Sequence, residues 1–179
     1  MIGNQGISIV QVVFASSLTL IVLGGAIAVL QFVQREKSYV EHTFDTLNHA
    51  SEVRIFLSEK ASCSLNLNEE FVSPLFVPIS SDLKNLNLSV KKIIGGVNFT
   101  TLFEMGVPIQ QNLFVEEANI GDFQRITLDT DYYFAKLHLK YKGSGSRAFK
   151  PRSIPLRVRW SPQGSQYKLT ECMAYGFED

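Results

Sequence analysis

ISIVQVVFASSLTLIVLGGAIAVLQFV, from Ile7 to Val33, contains no Asp, Glu, Lys or Arg, and the first such residue of the chain is Arg35. Only small or uncharged polar residues interrupt it: Ser8, Gln11, Ser16, Ser17, Thr19, Gly24, Gly25 and Gln31. From Val12 to Leu30 a helix rising about 1.5 Å per residue nearly spans a hydrocarbon core of about 30 Å. A soluble domain rarely places such a run on one buried helix, so the segment reads as a membrane helix. A cleaved secretory signal has a basic start and a shorter apolar core. Neither is present here.

Working outward, the helical pattern continues without Pro or Gly. Val33, Val40, Phe44, Leu47 and Ile55 recur at helical spacing, with Ser51 in the gap. Glu36, Lys37, Glu41, Asp45, Glu52 and Glu59 are expected on the opposite face. One helix from about Ile7 to about Lys60 is the simplest object, its outer half burying the apolar face against the C-terminal domain. From Phe71 onward the pattern changes to strands. Pro74 and Pro78 mark an extended, edge-like stretch. Residues 90–94, Gly95-Gly96 and residues 97–103 read as a hairpin. Tyr133, Ala135, Leu137, Leu139 and Tyr141 alternate with polar residues, as do Ile154, Leu156, Val158 and Trp160. Tyr167 to Ala174 reads as the last strand, and Lys142 to Pro151 as a Gly/Ser loop. The expected class is α+β: a long N-terminal helix, half membrane and half amphipathic, packed on an antiparallel sheet. The expected divisions are residues 1–6, 7–33, 34–62 and a β-rich domain over 63–179.

Gly6-Ile7-Ser8-Ile9-Val10-Gln11, followed by an apolar helix that continues as an amphipathic one, resembles the N-terminus of type IV pilins and pseudopilins. The resemblance covers roughly residues 1–60 in plan and about ten in motif. It implies that a prepilin peptidase cuts between Gly6 and Ile7 and methylates Ile7. It implies storage in the bacterial inner membrane as a single-pass protein with a periplasmic C-terminal domain, then assembly with other pilin-like subunits into a surface or secretion filament. The chain departs from the family in two places. The leader lacks Lys and Arg, and Gln11 stands where the family usually has Glu. In the family that Glu pairs with a neighbour's N-terminal amine. A buried amine without a counter-charge is costly, and Gln offers only a hydrogen bond. The resemblance therefore places this chain as a minor or tip subunit; otherwise Gln11 is a tolerated polar residue. Gly24-Gly25 serves either the locally melted stretch of family filaments or close helix packing.

Charge adds less. There are 17 basic and 17 acidic residues, which gives no global case for nucleic-acid binding. Glu69 to Asp131 holds nine acids and four bases, a balance of −5. The segment from Tyr132 onward holds nine bases and three acids, a balance of +6. The bases are Lys136, Lys140, Lys142, Arg147, Lys150, Arg152, Arg157, Arg159 and Lys168. They form either solvated strand faces or a basic surface for an anionic partner, nucleic acid included. By the positive-inside rule, Arg35 and Lys37 argue against export of the C-terminal part. Cys63 and Cys172 fit no zinc motif; outside the cytoplasm they pair as a disulfide, and inside they are buried thiols.

No phosphate loop, GxSxG or HExxH is present. His42 and His49 lie two turns apart, too far for one ion, and read as solvated. His138 carries no assigned role. Glu69-Glu70 and Glu116-Glu117 read as solvated turns, Asp129 and Asp131 as a strand-connecting turn. Asn87-Leu88-Ser89 and Asn98-Phe99-Thr100 match sequons that matter only in a eukaryotic secretory pathway. The sequence thus points to a structural subunit, with neither enzyme chemistry nor a cofactor expected. The alternative is a signal-anchored binding domain that does not assemble.

Overall fold

The computed structural model describes residues 9–79, 81–95, 100–110, 113–126, 131–143 and 149–175. Gly6 and Ile7, Gly96 of the proposed hairpin turn, Asn98, Asp129 and Arg147 lie outside them. The chain divides into two compact units, Met1–Glu41 and His42–Asp179.

In the first unit the described chain is helical. Helix α1 runs Ile9–Leu57, and its N-terminal part is long and apolar enough to cross a membrane, with none of that window buried. Its hydroxyls turn back on the helix: Ser16 and Ser17 donate to the Val13 carbonyl at 3.0 and 2.8 Å, and Thr19 to Ala15 at 2.8 Å. Such bonds satisfy polar groups where lipid offers no partner.

In the second unit α1 ends at Leu57, a turn comes next, and a short helix α2 covers Lys60–Leu65 and carries Cys63. The strands are β1 Val72–Ser73, β2 Phe76–Pro78, β3 Leu88–Val90, β4 Lys92–Gly95, β5 Thr100–Glu104, β6 Pro108–Gln110, β7 Leu113–Arg125, β8 Tyr132–Lys142, β9 Arg152–Gln163 and β10 Gln166–Ala174. All pairings are antiparallel, in the order β1-β3-β7-β8-β9-β10-β2, with β6 on β7 and a separate β4-β5 ladder. The α+β class and antiparallel sheet are as expected. The route of Val72 to Pro78 is not. β1 pairs with one end of the sheet and β2 with the other, yet only Pro74 and Leu75 separate them. The two ends of the sheet order are therefore joined by one short segment. The prolines sit at these edges because they donate nothing to a ladder.

The period-two reading of β8 and β9 holds. Ala135, Leu137, Leu139 and Tyr141 are buried with Ile154, Leu156, Val158 and Trp160. The longest strand, β7, escaped that reading. Its register shifts between Val115 and Glu117 and again between Gly121 and Gln124, so its side chains do not alternate simply. Asp122 takes φ 56° at the second bulge, an uncommon conformation for a residue with a side chain.

The helix face is the main correction. The stripe expected to be buried stays exposed: Phe44 at 61% and Ile55 at 66%, with Val40 and Leu47 likewise open. Thr46, His49, Ala50, Val53 and Leu57 are buried instead. At 100° per residue their centre lies roughly 150° round the helix from the apolar stripe. The acidic residues lie beside the stripe, not opposite it. The reason is in what the sheet presents. Tyr141, the Leu102 carbonyl and Arg152 meet this face of α1, so it takes polar His49 and Thr46 among small apolar residues.

His49 is therefore buried, at 6% exposure, and not solvated. Its Nε2–H donates to the Leu102 carbonyl at 3.1 Å, since a carbonyl can only accept. Nδ1 then accepts from the Tyr141 hydroxyl at 2.8 Å. Burial lowers the His49 pKa below 6.5, opposed by the Leu102 hydrogen bond and by Glu52. The unfolded chain thus binds the proton better. This contribution to stability is complete above about pH 6.5 and declines as pH falls through the folded pKa. Chemical denaturation from pH 7.5 to 5 is expected to show this decline, and His49→Gln to lessen it. An equal slope in both proteins would assign the decline to other groups.

Candidate functional site

Three regions carry the residues singled out by sequence. The first is α1. Gln11 lies in its first described turn and is exposed. Gly24 and Gly25 are helical, and a methyl group at either would meet nothing within 4 Å. Both therefore leave open helix surface for another molecule to approach. On the same helix, Val33, Val40, Phe44, Leu47 and Ile55 form an exposed apolar stripe. A membrane span needs about 20 residues. This stripe continues some 22 residues past Val33, roughly 33 Å of additional helix.

The second region joins α2 to β10. Cys63 and Cys172 form a disulfide with Cα atoms 5.4 Å apart, 109 residues apart in sequence. Both cysteines are buried. The Cys172 N–H donates to the Ser64 hydroxyl at 3.3 Å, a second tie across the same junction.

The third region is the exposed face of the sheet, which holds most of the basic run. Lys136 faces Asp122 at 3.8 Å. Lys140 meets Glu116 and Glu117 at 3.4 Å, and Lys142 meets Glu116 at 3.4 Å. Glu116-Glu117 is thus a strand pair facing two lysines, not a solvated turn. The hydrogen bonds from Lys140 and Lys142 hold the Glu116 carboxyl below its usual range. Arg159 pairs with Glu171 at 3.4 Å. Arg152 leaves this face altogether and reaches Thr46 on α1 at 3.4 Å. Lys168 lies over the Phe76 ring. Acidic β7 and basic β8 are adjacent strands, so Lys136, Lys140 and Lys142 are offset by Asp122, Glu116 and Glu117.

Two groupings were missed by sequence because they join distant positions. Ser153 and Asp122 flank His138 at 2.9 and 3.2 Å. The order of groups matches a serine–histidine–acid relay. All three stand on the open sheet face, Asp122 also serves Lys136, and a nucleophilic serine needs a water-excluded, preorganised surrounding. The chain of bonds ties β7, β8 and β9 together. The other grouping is a cleft of about 110 Å³ lined by Lys60, Tyr132, Arg157, Glu171, Cys172 and Met173. Lys60 lies 2.8 Å from Glu171. That contact holds the Glu171 carboxyl down and raises Lys60. Among the described residues no cluster of three or more His, Cys, Asp or Glu side chains suits a metal ion. No protein-family model, curated protein or solved structure matches this chain.

Proposed function

We propose that the chain is a filament subunit of type IV pilin-like plan, held in a bacterial inner membrane before assembly and placed at a minor or tip position. One observation carries this reading: in the second unit Phe44, Leu47 and Ile55 of α1 form an exposed apolar stripe, turned away from the face the sheet covers. An anchor that only holds a binding domain at a membrane has no use for apolar surface beyond the bilayer. A helix that leaves the bilayer and packs among copies of similar helices does, because burial of that surface drives the packing. This favours assembly over the signal-anchored binding domain. The disulfide agrees with an oxidising, extracytoplasmic location for the C-terminal unit, against the weak contrary vote of Arg35 and Lys37. Gln11 supplies the argument for a tip or minor place, since it cannot neutralise a neighbour's amine. Lys136, Lys140 and Lys142 face carboxylates, which weakens the case for nucleic-acid binding at β8.

The decisive experiment is intact-mass and N-terminal analysis of the protein purified from cells with an active prepilin peptidase. A chain beginning at N-methylated Ile7 is expected. A chain that keeps Met1 in such cells would refute the filament reading and leave the anchored domain.

A further inference from the structure

We propose that the cleft between α2, β8, β9 and β10 is a binding site for a small oxyanion group, a carboxylate, phosphate or sulfate. Its charge is uneven. Lys60 and Arg157 line it, Arg159 reaches its wall through Glu171, and Glu171 is the carboxylate among its lining residues. Glu171 is already engaged three ways: by Lys60 at 2.8 Å, Arg159 at 3.4 Å and the Tyr132 hydroxyl at 3.1 Å. Arg157 has no carboxylate partner among the described residues. Its guanidinium lies 4.4 Å from the centre of the Tyr132 ring, a contact that uses none of its N–H donors. A planar guanidinium presents paired donors that match the two oxygens of an oxyanion.

This contrasts with Lys136, Lys140 and Lys142 of β8, each of which faces a carboxylate of β7. At the cleft, by contrast, Lys60, Arg157 and Arg159 lie around the single carboxylate of Glu171. The volume, about 110 Å³, is far below the several hundred typical of whole-ligand pockets. It accommodates one charged end group, with the Tyr132 ring and Met173 as the apolar part of the wall. The neighbouring disulfide fixes the wall that Cys172 forms, because it clamps β10 to α2.

Met173 makes the site directly observable. The chain has three methionines, and Met105 lies on the far β5–β6 connection as an internal reference. The experiment is a methyl-¹³C-methionine NMR titration of the full chain in neutral detergent. Phosphate, sulfate and acetate are added separately, against chloride at equal ionic strength. A saturable shift of the Met173 signal in the millimolar range, absent with chloride and without movement of Met105, is expected. Arg157→Gln is expected to weaken it at least tenfold and Lys60→Gln by a smaller factor, with Lys142→Gln unaffected. The preferred oxyanion distinguishes a carboxylate source from a phosphate or sulfate one. Linear shifts equal to those of chloride would overturn the proposal, and so would unchanged affinity in Arg157→Gln with Met105 at its native position. If Arg157→Gln displaces Met105, the protein has lost its fold and Lys60→Gln decides in the same way.

Discussion

In the proposed filament role, Phe44→Lys combined with Ile55→Lys is expected to abolish entry into filaments while leaving the C-terminal unit folded. The two side chains are 61% and 66% exposed, so replacing them removes little buried surface. Lys is a good helix former, and Lys at position 44 has Glu41 three residues before it. Surface changes of this kind stay within about 0.5 kcal/mol. In a filament the same two positions would lie between packed helices. Unpaired ammonium groups there cost several kcal/mol each, enough to exclude the subunit. The measurement is the fraction of subunit in sheared or sedimented filaments, beside a thermal melt of the same protein. Normal incorporation with an unchanged melt would show that the stripe does not mediate assembly. The domain-facing residues give the contrasting control. Leu57→Ala, at 3% exposure, is expected to cost about 2–5 kcal/mol through lost contact and cavity formation.

Loss of the disulfide is expected to have the largest effect on stability. It closes 109 residues of chain, which in the loop-entropy account is worth about 4–5 kcal/mol. For a domain of this size that corresponds to a fall in melting temperature on the order of 15 °C. Paired Cys63→Ser and Cys172→Ser substitution adds the cost of two buried hydroxyls. Paired replacement by Ala is therefore the cleaner test of the cross-link itself. Reduction of the wild-type protein should approach the Ala pair. A melt unchanged by reduction would show that packing of α2 on β10 holds the junction without the bond.

The parts of this protein legible in its sequence are those governed by local repetition. A charge-free run has one physical solution in lipid, a helix, because backbone groups there must bond internally. Strict alternation in β8 and β9 announces half-buried strands because successive side chains point to opposite faces. The two cysteines are the chain's only pair, so a disulfide between them needs no spacing rule. What escaped was nonlocal. The bulges of β7 broke the period, so the central strand left no clean signature. The pairing of its acids with the lysines of β8, and the meeting of Lys60, Arg157 and Glu171 at one cleft, depend on which strands become neighbours.

The helix shows the division most sharply. By itself the sequence determined that α1 has an apolar stripe from Val33 to Ile55. It could not determine what covers that stripe, since periodicity records a preference for leaving water and names no partner. Only the tertiary structure decided that the sheet takes another face, through His49, Thr46, Val53 and Leu57, because Tyr141 and the Leu102 carbonyl offer hydrogen bonds that an apolar stripe cannot answer. The stripe is left exposed for that reason, and that exposure is what turns a membrane anchor into a candidate assembly surface.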